Sequence, residues 1–219
     1  IMSSDWSSDV CSSDLETAKQ ASSAEKIEIL IAPGLYKEQL VISGQSAGLS
    51  IRPASDLPNS VVVQFEAEEL SENYTVKIAN SSNVVIDGLE IQATGTEYAT
   101  SLFLEGSNKS IEIKNCLLKG KARADKAIYQ SVIFCDDRAA SESLRITDCE
   151  IEGGSFGIFG GGLNGDTRDG DLKCVGNIFT DQSFGGAYFK YIRNLEFSSN
   201  VVNNSQGKED FAGFTVFDA

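Results

Sequence analysis

Two short stretches concentrate the side chains that could do chemistry. Cys135 to Ser143 carries Asp136, Asp137 and Arg138, and Gly161 to Asp171 carries Asn164, Asp166, Arg168, Asp169 and Asp171. Paired carboxylates can act as acid and base in cleaving a glycoside, and clustered oxygens can hold calcium. Asp166, Asp169 and Asp171 are the oxygens a cation would use, but Arg168 stands where a calcium loop places a ligand. The plain alternative is a pair of solvated, turn-rich loops with local Asp-Arg pairs. No motif calls for a cofactor, and calcium is the ion for which ligands are at hand.

Histidine is absent. Ser-His-Asp and Cys-His nucleophile arrangements, histidine bases and ordinary zinc sites are therefore unavailable. With 32 acidic against 18 basic residues the net charge is −14. That balance excludes generic electrostatic binding to nucleic acid and disfavours a polyanionic sugar. No apolar run reaches the length of a membrane span, so no membrane insertion is expected.

The elements that must position these loops are legible as a repeat. Val84, Ile86, Leu89 and Ile91 recur as Ile111, Ile113, Cys116 and Leu118, then as Leu144, Ile146, Cys149 and Ile151. Leu172, Cys174, Asn177 and Phe179 follow, and then Leu195, Phe197, Asn200 and Val202. Offsets of two place side chains on one face of a strand, and the step of three between the second and third members needs a bend. The units begin 27, 33, 28 and 23 residues apart, a solenoid period made irregular by loops.

Before each unit runs a further strand with a small residue at its start. These strands begin at Thr75, Ser101, Ser131, Gly157, Gly186 and Gly213. Three short strands per turn predict an all-β fold, a right-handed parallel β-helix of about seven coils. Earlier, Lys26 to Ser43 reads as the first coil, and Leu49 to Arg52 with Val61 to Phe65 as the second. Residues 16–25 read as the remnant of an N-terminal capping helix. In residues 1–15 Ser-Ser-Asp recurs, and SSDVCSSDL resembles translated read-through of a sequencing adaptor, so this segment is expected to be non-native. The β-helix is expected over 26–219 as one domain, continuing beyond Ala219 in the natural chain.

Outward positions on the small-cornered strands form a second candidate site. Lys77, Phe103, Ile133, Phe159, Tyr188 and Thr215 fall there, about 4.8 Å apart along the axis. Phe103, Ile133, Phe159 and Tyr188 make an apolar stripe that could stack sugar rings or meet a partner, unless a loop covers it. The cysteines Cys116, Cys149 and Cys174 occupy core offsets and Cys135 a strand end. Core packing is their expected role, although adjacent coils lie close enough for a disulfide. Asn177 and Asn200 are expected to stack in the bend and satisfy backbone groups there.

The phrases IAPGLYKEQLVI, NYTVKIANSSNVVIDGLEI, IKNCLLKG, GNIFTD and FGGAYFKYIRNLEFSSNVV resemble right-handed parallel β-helix repeat proteins of the pectin-lyase-like superfamily, especially secreted or surface proteins of Bacteroidetes-type bacteria. The resemblance covers nearly all of 16–219. It implies an extracellular or cell-surface location. The superfamily's enzymes can be tested motif by motif. Of the polygalacturonase-like segments only Asp136-Asp137 is present. Pectin esterases share the opening seen at Pro33 to Glu38, but their Gln-Asp and Gly-Arg-Pro-Trp segments are missing. The lysine and arginine machinery of alginate-lyase and chondroitinase-like enzymes has no clear match.

On these residues the sequence reads as a non-catalytic adhesin or glycan-binding module, with a polysaccharide or cell-surface glycan as partner. The alternative is part of a polysaccharide lyase or another carbohydrate-active enzyme.

Overall fold

In the computed structural model the described residues are 2–3, 26–125, 128–136, 141–161, 169–205 and 210–217. The expected capping helix at 16–25 and most of the segment at 1–15 lie outside them.

The repeated apolar offsets build a parallel β-helix whose strands fall into three parallel sheets. Sheet A holds Lys26–Ile31, Gly48–Pro53, Ser82–Asp87, Asn108–Lys114, Ser141–Thr147, Asp169–Val175 and Ile192–Ser198, with Met2–Ser3 at its edge. Sheet B holds Gly34–Tyr36, Val61–Phe65, Glu90–Ala93, Leu117–Lys119, Glu150–Glu152, Ile178–Thr180 and Val201–Asn203. Sheet C holds Leu40–Ser43, Val76–Ala79, Leu102–Glu105, Ile133–Cys135, Phe156–Gly161, Gly185–Lys190 and Ala212–Phe217. The chain visits A, B and C in turn through six to seven turns, close to the seven expected.

Register follows the offsets read from the sequence. Ile86, Ile113, Ile146, Cys174 and Phe197 stack in sheet A, while Ile91, Leu118, Ile151, Phe179 and Val202 stack in sheet B. All but the last coil's Phe197 and Val202 are buried. Alternation restarts at the A-to-B bend because Gly88, Asn115, Asp148, Gly176 and Ser199 each adopt a left-handed backbone, with φ between 51° and 74°. A single left-handed residue redirects the strand without spending a longer loop.

Inside the bend the asparagine stack is present. Asn177 accepts from the Cys149 N–H (3.0 Å) and donates to the Ile146 carbonyl (2.9 Å), and Asn200 accepts from the Asn177 N–H (2.9 Å). Backbone groups of two adjacent coils are thereby satisfied in a dry interior. Cys116, Cys135, Cys149 and Cys174 are buried free thiols. Burial pushes the Cys174 thiol up to about 12. A hydrogen bond with Cys116, then burial, raises Cys149 well above the usual range.

Candidate functional site

On the outer face of sheet C, Lys77, Phe103, Phe134, Phe159, Tyr188 and Thr215 are register partners. Phe103, Phe159 and Tyr188 thus take the outward positions expected of them. Ile133 does not. It pairs with Leu102 and Ile158 in the inward row and is fully buried, and Phe134 takes its place outside. The cause lies at the corner, where Val132 is buried as well, so the strand begins one residue later than the small residue suggests. A one-residue shift exchanges the faces of a strand. The alternation of Ile133, Phe134 and Cys135 against Leu102, Phe103 and Leu104 is the signal that identifies Phe134.

The row is a continuous aromatic platform. Phe103 and Phe134 stack with centroids 5.5 Å apart, Phe134 and Phe159 lie 6.1 Å apart, and Phe159 and Tyr188 stack at 4.9 Å. Phe156, which the spacing did not single out, packs 5.3 Å from Phe159 and 6.0 Å from both Tyr188 and Phe184. At the other end Tyr74 lies 6.4 Å from Phe103 and beneath the Lys77 ammonium, 4.7 Å from its ring centre. The rings in the row are half-buried, so one side of the platform meets solvent.

Local hydrogen bonds hold the ends of this surface in place. Gln39 Nε2 donates to the carbonyls of Glu72 (2.9 Å) and Tyr74 (2.7 Å), and Asn73 Nδ2 donates to the Tyr129 carbonyl (3.0 Å). Connections from sheet B to sheet C form a flank in which Tyr98 and Tyr129 meet edge to face at 6.0 Å. Lys121 Nζ (2.7 Å) and Gln130 Nε2 (2.8 Å) both donate to the Thr96 carbonyl and tie that flank together.

Beside the aromatic row runs a charged one. Glu105 follows Leu104 outwards, and Asp136 occupies the same position on the next coil, its N–H donating to the Leu104 carbonyl at 2.9 Å. Lys77 reaches Glu105 at 3.4 Å. Lys190 is the register partner of Gly161 two coils beyond Asp136. A Cβ at Gly161 would lie 1.7 Å from the Lys190 carbonyl oxygen, so only glycine fits between them. Glu105 and Lys190 were not recognisable as site residues from spacing alone, because an outward charge on a strand is the common case on any solvated sheet.

The remaining expected residues are not gathered by what is described. Asp137, Arg138, Asn164, Asp166 and Arg168 lie outside the described residues. Asp169 opens a strand of sheet A, where its backbone pairs with Ile192. Asp171 is exposed on the same strand and accepts from Asn194 Nδ2 at 2.7 Å. Among the described residues no three or more Cys, Asp or Glu side chains form a metal-binding group.

No protein-family profile matches the sequence, and no curated protein matches it. Solved structures of two pectin methylesterases are similar to this chain. Rice weevil pectin methyl esterase matches with a TM-score of 0.58 and 15% identity over 91% of this chain and 63% of its own. Pectin methylesterase PemA from Erwinia chrysanthemi matches with a TM-score of 0.46 and 15% identity over 83% of this chain and 51% of its own. The chain thus spans less than two thirds of the length of either.

The fold is the right-handed parallel β-helix. The expectation of a non-catalytic adhesin is corrected by this neighbour, an esterase by name, which favours the carbohydrate-active-enzyme alternative. Among the described residues no helix is long and apolar enough to cross a membrane.

Proposed function

We propose that the chain is part of an extracellular carbohydrate-active enzyme that draws a polysaccharide along the outer face of sheet C. The observation that carries this reading is the aromatic row from Phe103 to Tyr188 with Glu105 and Asp136 beside it. Three strand spacings separate its ends, about 14 Å of stacking surface parallel to the axis. Sugar rings present apolar faces to such a surface and leave their polar edges free.

Hydrolysis of an ester or glycosidic bond fits the groups at hand. In a chain without histidine, a carboxylate can act as nucleophile or base and a neighbouring carboxylic acid can protonate the leaving oxygen. Glu105 and Asp136 are placed for those roles, with Lys77 and Lys190 as the cations near developing negative charge. Pectin is the first substrate to try, since the neighbouring fold belongs to a pectin methyl esterase.

The test is an activity panel of pectin, unesterified uronate polymers and neutral polysaccharides. Methanol release, new reducing ends and unsaturated products would be followed separately. Turnover on one of them that is lost in both Asp136→Asn and Glu105→Gln supports the proposal. A protein that turns over none, or whose activity survives both substitutions, contradicts it.

A further inference from the structure

The outer face of sheet A carries a furrow of about 430 Å³, remote from the chemistry proposed for sheet C. Its floor arises from a repeated backbone kink. Asn83, Ser110 and Ser143 have φ of 57°, 54° and 62°. All three occupy one position in neighbouring coils, between the register pairs that join Ser82, Lys109 and Glu142 on one side and Val84, Ile111 and Leu144 on the other. A left-handed residue locally bends its strand. Repeated in three adjacent strands, the bend becomes a channel across the sheet, and Gly48 and Ser50 extend it with minimal side chains.

Charge on this face is mostly matched. Arg52 meets Glu28 at 2.7 Å, Lys109 meets Glu142 at 3.1 Å, Lys114 meets Asp87 at 3.7 Å and Lys173 meets Glu196 at 2.6 Å. Lys26 and Arg145 are exposed, line the two ends of the furrow and make no ion pair among the described residues. Four strand spacings lie between them, about 19 Å. The furrow's carboxylate, Glu112, has the Lys114 ammonium 4.0 Å away. On a chain of net charge −14, two unmatched cations at the ends of one channel form a local anion-attracting site.

We infer that this furrow is a second glycan site, which takes an extended acidic oligosaccharide. Carboxylates of uronate units would meet Lys26 and Arg145, while sugar hydroxyls meet Ser50, Ser110, Ser143 and Asn83. A peptide strand is a poorer occupant, because the furrow crosses strands already paired on both sides and offers no free edge to extend. The site stands independently of sheet C, so its failure leaves the proposed function untouched.

Calorimetric titration of the full chain with unesterified hexagalacturonate, and with cellohexaose as the neutral control, tests it. Hexagalacturonate is expected to bind, more weakly as salt rises. Arg145→Glu and Lys26→Ala should each weaken it about fivefold or more. Ser50→Trp, which fills the channel, should abolish binding. Arg145 is an exposed side chain, so its variant reports on binding without a folding defect, and the melting temperature of each variant verifies this. Absence of hexagalacturonate binding, equal affinity for cellohexaose, or affinity indifferent to Arg145→Glu and Ser50→Trp would overturn the inference.

Discussion

The rings of Phe159 and Tyr188 lie 4.9 Å apart and within 7° of parallel, one coil above the other on the outer face of sheet C. Parallel pairing in register enforces this arrangement, because partner residues on adjacent strands must share a face. Stacking of such a pair contributes about 0.5–1.5 kcal/mol beyond burial. Phe159→Ala or Tyr188→Ala is therefore expected to lower the melting temperature by only a few degrees. Affinity for the polysaccharide turned over in the activity panel should fall about tenfold, equivalent to about 1.4 kcal/mol. Affinity electrophoresis in gels containing that polysaccharide reads the loss, and unchanged mobility would exclude the platform as the binding surface.

Asn177 is fully buried and serves two backbone groups of the preceding coil. Asn177→Leu keeps the volume but leaves the Cys149 N–H and the Ile146 carbonyl without their partner. Each orphaned buried group costs about 1–3 kcal/mol, so a destabilisation of roughly 2–5 kcal/mol is expected. Denaturant unfolding measures it. Asn200→Leu, at a half-exposed position in the last described coils, should cost less.

Gly157 lies where a Cβ would come within 2.5 Å of both the Gly186 carbonyl oxygen and Phe179 Cδ1. The fully buried Phe179 ring occupies the space that a side chain there would need. Gly157→Ala is thus expected to destabilise by about 1–3 kcal/mol through overpacking. Combining it with Phe179→Leu should recover part of the loss, and a double-mutant cycle in urea would reveal the coupling.

Lys119 is raised above the ordinary lysine value of 10.5, first by its hydrogen bond to Glu90, against an opposing burial effect. The ammonium lies 2.9 Å from Glu90. A cation whose folded value is raised contributes stability that is fully present below its unfolded value and is lost as pH rises through the folded value. Stability should therefore fall above about pH 10.5 more steeply in the parent than in Lys119→Met. Urea midpoints from pH 9 to 11.5 compare the two, and parallel curves would remove the linkage.

Cys149 and Cys174 are buried, with thiols held well above their ordinary range. Since the thiolate is the reactive form, neither should be alkylated by iodoacetamide at neutral pH in the native protein. Both should react in denaturant, and peptide mapping of the two reactions checks it.

How far this chain could be read without coordinates follows from where periodicity governs. In sheets A and B the offsets of 0, 2, 5 and 7 specified every inward neighbour, because a parallel ladder must keep one side-chain face in register over all coils. The asparagine stack was legible for the same reason, since Asn177 and Asn200 replace Leu89, Cys116 and Cys149 at a single offset. At the B-to-C corners the period fails. Connections there differ in length and Val132 is buried beside Ile133, so the outward stripe was misassigned by one residue at one coil.

The sequence by itself determined the solenoid, its three-strand coil and most of its core, because burial of alternating apolar residues is a local, repeated constraint. Only the tertiary structure decided which surface residues meet. Phe134 joining Phe103 and Phe159, Glu105 beside Asp136, and the aligned kinks at Asn83, Ser110 and Ser143 all depend on register between residues 25 to 33 positions apart. No local pattern encodes such adjacency, since an outward side chain contributes little to the folding energy that sets the register.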